Sequence, residues 1–133
     1  MPFGWPGVHI YETADAAALA RLFDGVVMRA DLAGAADRRS ALRAIGAQCH
    51  LPAYVQANLD SIEEAWRDCS WLPGDRWLIV VDDCASLRRA EPEVLAALCD
   101  IAQNVVSDHA ARGNALHVVF VITPIGGEVN GSF

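Results

Sequence analysis

The chain of 133 residues contains no lysine, and all ten of its basic side chains are arginine. This excludes mechanisms that need a lysine amine, such as Schiff-base chemistry or a Walker-type phosphate-binding loop. Glycine-rich phosphate loops are also missing, because Gly74 lies in a predicted turn and the glycine pair at 126–127 precedes no predicted helix. The sequence therefore lacks the usual means of holding a nucleotide.

The chain has little positive charge, with ten arginines against 17 acidic residues and a net charge of −7. A nucleic-acid-binding protein normally carries a basic patch, so that class is disfavoured, whereas an acidic surface favours basic partners. The N-terminus has no basic region followed by a long apolar core, which argues against a signal peptide. No apolar run approaches the ~20 residues that span a bilayer. We expect a cytoplasmic protein that binds neither nucleic acid nor membrane.

Metal-ligand patterns are absent from the cysteines and histidines. The four cysteines are separated by 20, 15 and 15 residues, so there is no C-x-x-C pair, and we expect buried thiols. No histidine forms an H-x-x-x-H pair or a recognisable pair with a nucleophile. We expect His9 and His117 to be partly buried in strands, and His50 and His109 to lie at the surface or its boundary. No cofactor, metal or catalytic residue is predicted, and the chain is not expected to be an enzyme.

One alternative would make the chain an enzyme. Asp82 and Asp83 end an apolar strand, where carboxylates can hold Mg²⁺ or accept a phosphoryl group. The favoured interpretation is that Asp83 or Ser86 caps a following turn and that Asp82 is solvated.

Strands alternate with helices along the chain. Strands are predicted at 8–12, 26–32, 77–83 and 116–122, and helices at 13–23, 37–49, 59–69 and 91–113. Thr13, Asp37 and Asn58 are the predicted N-caps, and Pro92 suits the first turn of its helix. The strands at 77–83 and 116–122 are continuously apolar, as in a parallel sheet that is covered on both faces. The pattern predicts an α/β fold with a small, mostly parallel sheet of three to four strands flanked by helices.

We expect one domain over residues 1–133. Residues 1–25 would form an N-terminal strand–helix extension, residues 26–122 the core, and residues 123–133 a loose tail.

The helix predicted at 59–69 has two unlike faces. Leu59, Ile62 and Trp66 lie on one side, whereas Asp60 and Glu64 are spaced i, i+4 on the other. Glu63 and Asp68 add negative charge, and like charges at this spacing repel. A solvated helix explains acids in the first turn, where the helix dipole favours them, but explains Glu64 and Asp68 less well.

The stretch LPAYVQANLDSIEEAWRDC (51–69) resembles the signature of the barstar family, the intracellular inhibitors of ribonucleases. Leucine, proline and tyrosine precede a short loop, and an asparagine–leucine–aspartate run and an acidic pair follow. The matching residues are Leu51, Pro52, Tyr54, Asn58, Leu59, Asp60, Glu63 and Glu64. The later strand ending in two aspartates, the long helix and the last strand follow in the family's order. The resemblance covers about residues 26–122.

The resemblance implies a stoichiometric inhibitor of a basic, barnase-like ribonuclease. Glu64 would enter the catalytic cleft as a substitute for the substrate phosphate, and Asp60 would be a second acidic contact. Arginine's planar fork of N–H groups donates to a carboxylate as it does to a phosphate, and complementary charge speeds association; the barnase–barstar pair is itself a standard example of such steering. The predicted partner-binding surface comprises Tyr54, Gln56, Asn58, Leu59, Asp60, Glu63, Glu64, Arg67 and Asp108.

Several positions depart from the family pattern. Gln56 stands where the family usually has glycine, Val55 where an aromatic is common, Ala65 in place of a cysteine, and Trp66 in place of a smaller aliphatic residue. The partner that the resemblance implies is a basic extracellular-type ribonuclease or a toxin nuclease domain, and these departures bear on which of them it is. The alternative is an immunity or regulatory interaction protein that uses the same face on a different partner.

Overall fold

A computed structural model describes residues 7–51, 58–69 and 72–125. Their strands are β1 (Gly7–Ala14), β2 (Val26–Asp31), β3 (Arg76–Asp82) and β4 (Ala115–Pro124), and their helices are α1 (Ala16–Leu22), α2 (Arg38–Gln48), α3 (Leu59–Asp68), α4 (Ala85–Ala90) and α5 (Pro92–Ala111).

The strands form one sheet in the order β1-β4-β3-β2, and all three pairings are parallel. The N-terminal strand joins the sheet at the outer edge of β4, with Val8 opposite Val118. At the other edge, Met28 of β2 lies opposite Ile79 of β3. The predicted α/β fold with a parallel sheet flanked by helices is confirmed.

The two faces of the sheet are covered unequally. Alternate residues of β3 point to opposite faces, so that Ile79 packs into the larger cluster, with side chains of α2 to α5, and Val80 into the smaller one, with Ala16 and Phe23. Six successive residues of this strand, 77–82, are buried, and they point alternately to the two covered faces of the sheet. This explains the continuous apolar run in the sequence.

The N-terminal helix starts later than its sequence suggests. Thr13 belongs to β1, opposite Thr123 of β4, and the N-cap of α1 is Asp15, whose carboxylate accepts a hydrogen bond from the Ala18 backbone N–H. The prediction of Thr13 as the cap was wrong because pairing with β4 extends the strand by two residues. Asp37, Asn58 and Pro92 take the positions that were predicted for them.

The helix α4 was not predicted. It has six residues, and its N-cap, Cys84, makes no side-chain hydrogen bond to the helix, so the sequence carries no start signal there. Leu87 of this helix is fully buried.

The four cysteines are free thiols, of which Cys49, Cys69 and Cys84 are buried and Cys99 is half-buried. Burial raises the pKa of Cys49 to about 11 and of Cys84 to about 12, so these thiols are protonated at neutral pH. None of the helices in the described ranges is both long and apolar enough to cross a membrane.

Candidate functional site

The acidic helix α3 begins with a side-chain cap. The Oδ1 atom of Asn58 accepts hydrogen bonds from the backbone N–H groups of Asp60 at 2.8 Å and Ser61 at 3.3 Å. These bonds satisfy two of the four N–H groups that a helix start leaves without a partner. The cap therefore fixes where α3 begins and which way its first acidic residue points.

One side of α3 is packed into the core. Ile62 and Trp66 are fully buried, and Leu59 is half-buried against the same cluster. The spacing of 3 and 4 residues places these side chains on a single stripe. Because that stripe faces inward, Asp60 and Glu64 are exposed on the opposite side.

The C-terminal end of α3 is held by α5. The backbone oxygen of Trp66 accepts a hydrogen bond from the Cys69 thiol at 2.9 Å and lies 2.7 Å from His109 Nε2, and the oxygen of Arg67 accepts one from Arg112 Nη2 at 2.7 Å. A helix end leaves such carbonyl groups unpaired, so contacts from a second helix satisfy them. The acidic helix is therefore fixed at both ends.

His109 was predicted to lie at the surface or its boundary, and this was wrong: it is fully buried. Arg112 Nη2 lies 3.1 Å from His109 Nδ1. A guanidinium only donates and a carbonyl only accepts, so the ring is neutral with its proton on Nε2. Burial, opposed by the hydrogen bond to Trp66, lowers the pKa of His109. Its spacing of four residues from buried Val105 continues the apolar stripe of α5, which is the sequence signal that could have revealed it.

The acidic residues of the predicted surface fall into two groups. Among the described residues, neither Asp60 nor Glu64 has a salt-bridge partner. Glu63 and Asp108, in contrast, are joined by Arg67, whose Nη2 donates to Glu63 Oε2 and whose Nε donates to Asp108 Oδ2, both at 2.6 Å. The hydrogen bond to Asp108 is the largest cause of a raised pKa of Arg67, and the hydrogen bond to Glu63 is the second largest. Within the described ranges, α3 thus presents two exposed carboxylates without a salt bridge next to a group in which one arginine offsets one of two negative charges.

The structure brings together Asn58, Leu59, Asp60, Glu63, Glu64 and Arg67 on α3 and its cap, and adds Asp108 from α5. Sequence spacing did not indicate that Arg67 would join Asp108, because the two residues are 41 positions apart. The predicted loop residues Tyr54 and Gln56, with Val55, lie outside the described residues.

The first of the paired aspartates at the end of β3 is engaged by an arginine. Asp82 is buried rather than solvated, and its Oδ2 lies 3.0 Å from Nη2 of Arg29, which supplies the charge that a cation would bring. Its Oδ1 accepts a hydrogen bond from the Asp83 backbone N–H at 2.9 Å, and neither Asp83 nor Ser86 caps α4. Within residues 7–51, 58–69 and 72–125, no three His, Cys, Asp or Glu side chains are grouped so as to hold a metal ion.

Asp83 itself has an unusual backbone. Its φ of 57° lies in the left-handed region, which a residue with a Cβ adopts at some cost in free energy. Burial, followed by the nearby carboxylates of Asp31 and Asp82, raises the pKa of Asp83. These features describe a constrained turn after β3.

Comparison with known proteins gives one family. The model of the family described as barstar (barnase inhibitor) matches residues 25–121, from just before β2 to within β4. No curated protein matches the chain. A solved structure described as Drosophila ORC bound to GC-rich DNA and Cdc6 contains a chain that is 18% identical, with a TM-score of 0.42; the match covers 92% of the present chain and 42% of that chain. A likeness at this level indicates neither a shared activity nor a shared partner.

Proposed function

The chain belongs to the barstar family, and from this premise we propose that it is a stoichiometric protein inhibitor of a basic, barnase-like ribonuclease. The inhibitor would block the cleft of the enzyme with α3 and the loop before it. Neither a cofactor nor a chemical step is needed, because the carboxylates occupy the space of a substrate phosphate.

The observation that carries this proposal is the pair of exposed carboxylates on a fixed helix. Asp60 and Glu64 lie one turn apart on the outward side of α3, without a salt-bridge partner among the described residues. Leaving two like charges unpaired at this spacing destabilises the helix slightly, and a cationic partner removes that cost. The caps at both ends reduce the ordering cost of binding, because the helix is in place before the partner arrives.

Six residues of the predicted surface have a proposed role in contact with the nuclease. Glu64 meets the arginines and the catalytic histidine of the nuclease, and Asp60 adds a second acidic contact. Leu59, half-buried beside Asp60, packs at the edge of the contact, and Asn58 lines the loop as well as capping the helix. In the loop, Tyr54 would give an aromatic contact and Gln56 would set how closely the loop enters the cleft.

Inhibition assays test this proposal. Purified protein is titrated against a panel of barnase-like ribonucleases, including any encoded beside its gene, and RNA cleavage is followed. We expect at least one enzyme to lose its activity at a one-to-one ratio. If every enzyme of the panel keeps full activity in the presence of excess protein, the proposal is wrong.

A second candidate function is an immunity or regulatory protein that uses the same face on another partner. The observation that favours it is the pairing of Arg67 with both Glu63 and Asp108, which halves the negative charge of these two residues at this face. Capture experiments with wild-type protein and Glu64→Ala distinguish the two. Recovery of a non-nuclease protein that is lost with Glu64→Ala supports the second function, and recovery of a nuclease alone supports the first.

A further inference from the structure

Arg67 lies between two carboxylates that come from different helices. Its Nη2 bonds Glu63 on the preceding turn of α3, and its Nε bonds Asp108 near the end of α5, each at 2.6 Å. The side chains of Arg67, Glu63 and Asp108 are 39%, 25% and 50% exposed, so the group lies at the surface where a partner can reach it. We refer to these three residues as the clamped group and to Asp60 and Glu64 as the open pair.

The guanidinium of Arg67 lies between Glu63 and Asp108 and occupies the position that a cation from a partner would need in order to bridge these two carboxylates. Charge-assisted bonds from an arginine fork are short and about twice as strong as neutral hydrogen bonds. An incoming arginine would have to displace both bonds and would meet the positive charge of Arg67 during its approach. Specificity commonly arises from such a repulsive element as well as from attractive contacts.

We propose that Arg67 is a specificity determinant that restricts this face to partners whose cations converge on the open pair. The inference rests on the proposed function, in which the same face binds a basic nuclease. The partner chemistry that fits is a cationic cleft opposite Asp60 and Glu64, with a neutral surface opposite the clamped group, whose net charge is −1. A nuclease that requires a cation at the clamped group is excluded.

The side chain of Arg67 can be changed without removing the anchor of its backbone. Arg112 binds the backbone oxygen of Arg67, and this bond does not depend on the side chain. Arg67→Met keeps an unbranched apolar stem in place of the side chain but removes its charge. Arg67→Lys keeps the charge. Arg21→Met removes one charge from an exposed position on α1, which covers the opposite face of the sheet, and so serves as the matched control for net charge.

The first test uses a barnase-like ribonuclease that the wild-type protein inhibits. The rate constant for association of each variant with this enzyme is measured at several salt concentrations. We expect Arg67→Met to raise the rate constant about threefold to fivefold at low salt and to steepen its salt dependence. Arg67→Lys and Arg21→Met should stay within about twofold of wild type, and adding Asp108→Asn to Arg67→Met should remove most of the gain. If wild type inhibits but Arg67→Met and Arg21→Met give equal rate constants, the inference fails while the proposed function stands.

A second test needs no nuclease and keeps the inference falsifiable if no inhibited enzyme is found. Isotope-labelled protein is titrated with a hexa-arginine peptide at low salt, and the carboxylate carbon signals are followed by NMR. We expect the carboxylate signals of Asp60 and Glu64 to shift in the wild-type protein. In Arg67→Met, we expect the signals of Glu63 and Asp108 to shift as well. Equal shifts at all four carboxylates in wild type would overturn it, whatever the outcome of the inhibition assays.

Discussion

The imidazole Nε2 of His109 lies 2.7 Å from the backbone oxygen of Trp66, and this hydrogen bond joins the long helix α5 to the last turn of α3. Arg112 completes the arrangement, because it donates to the other ring nitrogen and to the backbone oxygen of Arg67. The orientation of the acidic helix therefore depends on a buried neutral histidine 43 residues further along the chain.

Replacement of His109 tests this connection. His109→Ala leaves the Trp66 oxygen with one fewer donor and opens a cavity beside Trp77, whose ring lies 5.2 Å from the imidazole. We expect the free energy of unfolding to fall by about 2–3 kcal/mol, measured by urea denaturation. His109→Gln, whose amide can still donate to the oxygen, should recover part of this loss. Unchanged stability of His109→Ala would show that the bond does not anchor α3.

Acid should destabilise the fold through the buried histidines. Burial, with smaller contributions from the nearby His9 and Arg76, lowers the pKa of His117 to about 4, and the pKa of His109 is also lowered. The unfolded chain therefore binds protons near pH 6.5 that the folded chain binds only at lower pH. The contribution of these two histidines to the free energy of unfolding is fully present above pH 6.5, and it is lost as the pH drops towards 4.

We expect the loss from His117 to be on the order of 2–3 kcal/mol across this range. Urea denaturation at pH 7.5, 5.5 and 4.5 measures it. His117→Leu, which cannot take up a proton, should make the free energy of unfolding less dependent on pH. If the pH dependence is unchanged in this variant, other groups cause the loss of stability.

The Asn58 cap should contribute measurably to stability. Asn58→Ala removes the acceptor for the N–H groups of Asp60 and Ser61, and we expect a loss of about 1 kcal/mol. Asn58→Asp retains an acceptor and should stay close to wild type. Thermal and urea denaturation of the three proteins provide the comparison, and equal losses for both variants would contradict the capping role.

The open pair should dominate inhibition. Glu64→Ala should weaken inhibition of the target ribonuclease by at least about tenfold, or about 1.4 kcal/mol. The matched control is Glu12→Ala, because Glu12 is an exposed glutamate on β1 that pairs with Arg88. We expect this control to change inhibition by less than about twofold. Equal effects of the two substitutions would remove the acidic-helix mechanism.

Added salt should slow association of the wild-type protein with its nuclease. Exposed carboxylates such as Asp60 attract a basic partner over a range that shortens to about 8 Å at physiological ionic strength. Stopped-flow measurements from about 20 to 500 mM salt test this, and a rate constant independent of salt would exclude steering by the acidic face.

Local patterns in the sequence determined the strands, most of the helices and the outward direction of the acids. Continuous apolar runs predicted buried parallel strands, and Asp37, Asn58 and Pro92 begin their helices as predicted. The 3- and 4-residue spacing of Ile62 and Trp66 required Asp60 and Glu64 to face away from the core. These features depend on residues close in the chain, where propensity and periodicity act.

Only the tertiary structure decided which charges remain uncompensated. The pairing of β1 with β4, the ion pair between Arg29 and Asp82, and the bridge from Arg67 to Asp108 each join residues that lie far apart in the sequence. No local pattern reports such contacts, because they form when helices and strands pack and bring distant side chains within bonding distance. The sequence therefore located the acidic helix, whereas packing against α5 divided its charge into an open pair and a clamped group.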